Sequence, residues 1–248
     1  MRKKLLYSFF SIQVLLFGFQ ASAYAEPIIG VTLGDGSEPV GASALSMLLL
    51  VTVLSLAPAI LVLMTSFTRI VIVLGFVRTS LGTQSMPPNQ VLIGLALFMT
   101  LFVMAPTFST LNETALKPYL AGEISQTQAL ENASIPMKDF MYKHTREKDL
   151  LLFMNYTKTE KPETFQDIPL TVLVPAYAIS ELKTAFQMGF MIFVPFLVID
   201  MVVASTLMAM GMMMLPPVMI SLPFKILLFV LVDGWYLVVK SLLTSFNP

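Results

Sequence analysis

The chain has 248 residues, of which 56% are hydrophobic and 12% charged, with a formal net charge of zero and no cysteine. Soluble domains carry about 25% charged residues, so this composition marks a membrane protein, and zero net charge argues against a nucleic-acid partner. The lack of cysteine excludes disulfides, a thiolate nucleophile and cysteine-ligated metals.

The first 25 residues combine a basic start (Arg2, Lys3, Lys4), an apolar run from Leu5 to Phe19 and small residues at Ala23 and Ala25. That is the pattern of a cleaved signal peptide. The alternative, an uncleaved first span, is disfavoured because the run falls short of ~20 residues. Residues 26–43 form a polar, glycine-containing arm. N-terminal hydrophobic helices are expected over 44–110. Ala44–Met64 is long enough to span, and Ser66–Leu81 is shorter and bears Arg69 and Arg78. Gly82 and Pro87–Pro88 break the pattern before a further apolar segment at Val91–Phe108.

A small helical periplasmic domain is expected over 111–184, since residues 112–169 hold 16 of the chain's 30 charges. Thr110 with Glu113, and Ser125 with Gln128, have capping-box spacing. Pro136 is placed to start a longer helix with Met137, Phe140, Met141 and His144 on one face. The run KHTREKD at 143–149 reads as solvated surface. Residues 185–248 complete the chain as a helical hairpin, 185–210 and 218–243, joined by a methionine turn. The positive-inside rule puts Arg69 and Arg78 on the cytoplasmic side and 112–184 in the periplasm. The fold class is all-α, a polytopic membrane-associated protein of proline-kinked helical hairpins.

Each candidate span contains a proline (Pro58, Pro106, Pro195, Pro223), and the last two also contain Asp200, Lys225 and Asp233. A central charge costs about 2.5–3.5 kcal/mol on insertion scales, and broken backbone at membrane depth must be buried in protein or line a water-filled space. Helices buried within an assembly satisfy both demands. Folding the hairpin about Met214 brings Lys225 within a turn of the level of Asp200, so an Asp200–Lys225 pair is expected. Segment 185–210, ~39 Å as a straight helix, also exceeds a ~30 Å hydrocarbon core.

Catalytic chemistry is nearly absent. One histidine, His144, excludes a histidine metal site or a triad within one chain, and no phosphate-binding glycine motif occurs. Glu181, Asp200 and Asp233 are candidate proton carriers, although structural pairing is the simpler role. Neither an enzyme, a cofactor nor a metal is expected. The feature that asks for a function is GMMMLPPVM at 211–219, within a stretch from Met188 to Met219 that holds nine of the 18 methionines. Gly211, Pro216 and Pro217 hold Met212, Met213 and Met214 on a turn. Such flexible apolar side chains either ring a conduit, sealing it yet parting around a polypeptide, or fill an apolar contact.

Three stretches carry a resemblance: SFTRIVIVLGFVRTSLGTQSMPPNQVLIGLALFMTLFVMAPTF (66–108), SELKTAFQMGF (180–190) and VIDMVVASTLMAMGMMMLPPVMISLPFKILLFVLVDGW (198–235). They closely resemble the FliP family of flagellar export-gate membrane proteins. The resemblance implies a non-enzymatic ring subunit, a homopentamer with FliQ and FliR, alongside FlhB and FlhA, in contact with inner-membrane lipid at the flagellar basal body. Unfolded rod, hook and filament subunits would pass through it, driven by the proton motive force and a separate ATPase. It further implies that Met212, Met213 and Met214 form a gasket. Glu181 and Lys183 would lie in a motif used between subunits, and the gate would stand largely above the membrane plane. The alternatives are the related virulence-injectisome subunit, a small-solute channel using Asp200 and Asp233, and a structural scaffold without an open state.

Overall fold

A computed structural model describes residues 51–246 apart from 53, 57, 84, 158–163 and 213. The expected signal peptide, the arm, the start of the first apolar segment and Met213 lie outside the described residues. The chain divides into two units, Met1–Ser55 and Leu56–Pro248. Of the first, only a few helical residues are described, among them Ser55, whose hydroxyl donates to the Thr52 carbonyl. The second forms the helical body.

Among the described residues every regular element is helical. From Phe67 onward, in chain order, they are α1 (Phe67–Leu81), α2 (Asn89–Leu111), a π-turn (Asn112–Leu116), α3 (Lys117–Leu120), α4 (Gln126–His144), α5 (Glu147–Thr157), a 3-10 turn (Phe165–Asp167), α6 (Leu170–Ala209), α7 (Pro217–Leu231) and α8 (Gly234–Thr244). The all-α membrane class read from the sequence is therefore the observed one. Asn89–Leu120 and Leu170–Ala209 are each long and apolar enough to cross a membrane. The count of spans rises to four if each of two bent helix pairs is one span, and α7 and α8 form one such pair, bent by 63°.

Helix α1 is central. Ile70, Val73, Leu74, Val77 and Leu81 recur at helical spacing and are buried, giving the stripe that an embedded helix needs. Its main partner is α6, whose Val172, Leu173, Ala176, Tyr177 and Ala185 are buried against it. Arg69 meets Glu181, and Phe76 meets Gly189, so the two helices run in the same direction. Tyr177 donates its hydroxyl to the Thr65 carbonyl, 2.9 Å away, which ties α6 to the entrance of α1.

Several local expectations are corrected. Ser125 and Gln128 do make a capping box, but Thr110 and Glu113 do not. Thr110 instead donates to the Pro106 carbonyl, because the helix passes uninterrupted into the π-turn. Pro136 lies inside α4 and starts nothing. The segment expected from 185 begins at Leu170, with Pro175 and Pro195 both inside the helix. A proline costs one backbone bond, and where neighbouring helices shield the site it bends a helix instead of ending it. The segment expected over 218–243 is two helices, parted at Val232–Asp233.

Gly189 allows the close approach of α1 and α6, since a Cβ there would lie 2.4 Å from the Phe76 ring. Gly189→Ala is expected to destabilise the solubilised protein by about 1–3 kcal/mol through overpacking. Adding Phe76→Leu should recover part of the loss, read as melting temperature.

Candidate functional site

The chemistry-bearing side chains of the helical body fall into three buried polar clusters and one exposed turn. The first cluster sits inside the α6–α7 hairpin. Lys225 Nζ lies 2.6 Å from Asp200 Oδ2, and Ser221 donates its hydroxyl to Oδ1 at 2.5 Å. Ser221 and Lys225 are four apart on α7, hence on one face. The lysine is 2% exposed and the aspartate 21%. The end of α1 closes over them: Gly82 adopts φ +74°, and a Cβ there would stand 3.7 Å from the Lys225 ammonium. The negative end of that helix dipole favours the cation. Both carboxylate oxygens of Asp200 are thus engaged inside the hairpin, which is the geometry of a structural pair.

The second cluster joins α1, α6 and the end of α8. Arg69, 3% exposed, grips the fully buried Glu181 with two parallel bonds, Nε to Oε2 at 2.8 Å and Nη2 to Oε1. Such fork geometry is the strong form of an ion pair. Nη1 of Arg69 donates to the Ser245 carbonyl at 2.9 Å and to its hydroxyl at 3.0 Å. The guanidinium lies 3.9 Å from the centre of the Phe246 ring, and Phe246 in turn lies beside His144 and Phe140. His144 Nδ1 is 2.8 Å from the Phe140 carbonyl. Arg69 and Arg78 read from the sequence as buried or inter-subunit charges on the cytoplasmic side; Arg69 is a core residue, because Glu181 offers it a buried counter-charge. Arg78 stays at the end of α1, donating to Asn89 Oδ1 and holding the loop before α2.

The run 143–149 is not simply solvated either. Asp149 is buried, 2.5 Å from Arg146 Nη2, and accepts from Ser180 at 2.7 Å. The Arg146 backbone N–H donates to the same Ser180 hydroxyl at 3.0 Å. Docking α5 on α6 requires this, since the start of α5 would otherwise bury unpaired donors. The surface spacing of charges hides it; only the serine immediately before Glu181 hints at an acceptor on that face. Ser221, Ser245 and Phe246 also escape sequence reasoning, although Ser221 at four residues from Lys225 carries a recognisable signal.

Two expected charges find no side-chain partner within the described chain. Lys183 is exposed on α6, and Asp233 is exposed at the α7–α8 break with φ +50°. Among the described residues no group of His, Cys, Asp or Glu could hold a metal. A cavity of about 640 Å³ lies between α2 and α4, with Pro106, Thr110, Asn132, Pro136 and Phe246 in its wall.

The methionine turn is fixed at its base and bare at its tip. Gly211 at φ +77° ends α6. Its N–H reaches the Met208 carbonyl, and the Met212 N–H reaches Leu207, both at 3.0 Å. This is the paired bonding of a Schellman cap, which needs a left-handed residue at that position. Pro216 precedes α7 and Pro217 opens it, where the missing N–H is costless. Met214 is 98% exposed and Met212 39%. Met214 therefore fills no contact within its own chain.

The family model that matches this chain is that of the FliP family, over residues 50–242. The chain is 70% identical over 217 residues to the flagellar biosynthetic protein FliP of Bacillus subtilis (strain 168), covering 87% of this chain and 98% of that one. Similarity to the proteins of the same name from Caulobacter vibrioides (52% identity, 92% of this chain and 85% of that one) and Aquifex aeolicus (46%, 96% and 98%) spans comparable lengths.

Reversing one member of the hairpin pair, by Asp200→Lys or Lys225→Asp, is expected to cost about 3–5 kcal/mol, as breaking a buried pair does. The double reversal should restore most of the thermal stability and the motility that either single change removes. Failure to rescue would mean that the two charges do not act as a pair.

Proposed function

The chain belongs to the FliP family, and from that premise we propose that it is a pore-forming subunit of the flagellar protein-export gate. As a FliP protein it is a membrane-embedded, non-enzymatic component of the flagellar export apparatus. The finer reading is that five copies assemble with FliQ and FliR, next to FlhB and FlhA, in the inner membrane. Unfolded rod, hook and filament subunits then cross through the resulting channel. Met212, Met213 and Met214 close that channel between substrates, and a portion of the chain faces the periplasm.

One observation carries the reading: Met214 is 98% exposed on a turn whose backbone is capped on one side and proline-locked on the other. Apolar side chains held out on a fixed base must be covered by something from outside the chain. Methionine suits a seal because its unbranched thioether repacks around whatever passes. A small-solute carrier using Asp200 draws no support from the geometry, since Ser221 and Lys225 already occupy both carboxylate oxygens.

Replacing Met212, Met213 and Met214 by alanine in the full chain is expected to raise ion permeability of the cell membrane severalfold while export persists. The readout is conductance or membrane potential together with secretion of flagellar subunits. A motility defect with unchanged permeability would overturn the seal. The wild-type protein, mildly solubilised, should also emerge as a complex with FliQ- and FliR-like chains; a lone monomer in every detergent would overturn the assembly.

A further inference from the structure

All the sulfur in this chain is thioether: 18 methionines and no cysteine. Where a thiolate is present it intercepts two-electron oxidants first; here that chemistry falls to methionine, and access decides which one reacts. Met99, Met104, Met141 and Met154 are buried in the core. Met191, Met201 and Met219 are exposed on the apolar flanks of α6 and α7, faces of the kind that lipid or other protein covers. Met214 stands on neither helix and is almost wholly bare, with Met212 exposed on the same turn.

The surroundings of that tip decide what oxidation does to it. From Met208 to Met219 the chain reads MAMGMMMLPPVM and carries no polar side chain. On the α6 side the backbone donors are spent as well: the N–H groups of Gly211 and Met212 reach the Met208 and Leu207 carbonyls. Pro216 and Pro217, on the other side, have no N–H to offer. An oxygen placed on the Met214 sulfur thus finds no side-chain donor in the turn and takes its hydrogen bonds from water. Burying such an acceptor dry in an apolar contact costs the bond it leaves unmade.

We propose that Met214, together with Met212, is a sulfoxide-forming site, and that its oxidation by a peroxide reversibly unseals the channel. The inference rests on the reading of the turn as a seal and adds its regulation. The sulfur lone pair attacks one peroxide oxygen as the O–O bond breaks. The S–O bond forms and, for hydrogen peroxide, water leaves with the second oxygen and both protons. Sulfur gives up two electrons and the peroxide takes them, so no other reactant enters. The product side chain is polar and chiral, and sulfoxide reductases return it to the thioether, one enzyme for each epimer. The change is therefore a switch and not only damage.

Access follows from the thinness of the seal. A closure one turn deep parts two aqueous spaces and touches water on both faces, and hydrogen peroxide, hardly larger than water, goes where water goes. The Schellman cap and the paired prolines hold the two ends of the turn, so an oxidised tip has no helix face to retreat to. A thioether packs against its neighbours dry. A sulfoxide brings its water into the gap, and ions follow the water.

The test uses membrane vesicles that hold the full-length chain in its assembly. Brief treatment with hydrogen peroxide should convert Met214 to the sulfoxide about tenfold faster than buried Met104 and Met141, read by mass spectrometry of the digested protein. The ratio of treated to untreated ion permeability should rise severalfold. It should fall back towards unity after incubation with both classes of sulfoxide reductase and their reductant. In a chain carrying Met212→Leu, Met213→Leu and Met214→Leu the ratio should stay at unity whatever the starting permeability, because leucine has no sulfur to oxidise. Met86→Leu, on the exposed loop before α2, should keep the full response. A Met214 sulfoxide with unchanged permeability, an equal response in the leucine chain, or Met214 oxidised no faster than Met104 each overturns the switch and leaves the seal standing. If Met212→Ala, Met213→Ala and Met214→Ala together cause no leak before any oxidant is added, the seal fails first and the switch with it.

Discussion

The Arg69–Glu181 pair is the contact on which the rest of the helical body depends. It joins α1 to α6, takes the end of α8 through Ser245 and Phe246, and reaches α4 through His144. A buried ion pair contributes little net stability beside a well-packed apolar substitute, whereas losing one partner is severe. Its value here is registry. Once Arg69 faces Glu181, Phe76 falls into the gap at Gly189, seven residues on along α1 and eight along α6. The end of α1 then arrives at Lys225, closing the hairpin pair from above. Two charge pairs, one at each end of α1, thus hold three helices against sliding. Apolar packing alone specifies such sliding poorly, because leucine and valine stripes tolerate a shifted partner.

Length sets the second constraint. Helix α6 has 40 residues, ~60 Å end to end, twice a ~30 Å hydrocarbon core. Only 11% of its most apolar window is buried within the chain. That window of 18 residues is ~27 Å long, about the depth of the hydrocarbon core, while the first half of the helix packs within the chain through Val172, Leu173, Ala176, Tyr177, Ser180, Glu181 and Ala185. The prolines and buried charges that look paradoxical for lipid-facing spans are ordinary for helices packed in protein.

Legibility divides along sequence separation. The Ser125–Gln128 box and the Asp200–Lys225 pair are readable because each is local: three residues apart in one case, and across a turn of known centre in the other. The break at Gly82–Pro88 is readable from residue chemistry alone. Arg69 and Glu181 lie 112 positions apart, and no periodicity links them, so Arg69 reads as a topological charge. Ser180, Asp149 and Arg146 are hidden for the same reason: a surface run of charges looks alike whether it faces water or a docking helix. Pro136 misleads because it reads as a helix start, whereas it lies inside α4. The sequence pattern starts α6 too late because the charge count of 112–169 groups everything up to 184 into a water-facing domain, whereas the helix begins at Leu170.

Under the proposed function, these features divide rigidity from compliance within one hairpin. The Asp200 clamp stands 11 residues from Gly211, ~16 Å along α6, and the Schellman cap and paired prolines fix the backbone at the two ends of the turn. Methionine has three rotatable bonds and no branch, and Met214 is uncovered by its own chain. A seal built this way opens by changing rotamers, which takes picoseconds to nanoseconds in exposed residues, not by parting helices, which takes microseconds or longer. The clamp and the soft tip are then one device: stiffness below keeps the tips at a common height, and softness above lets them follow the outline of whatever passes between them.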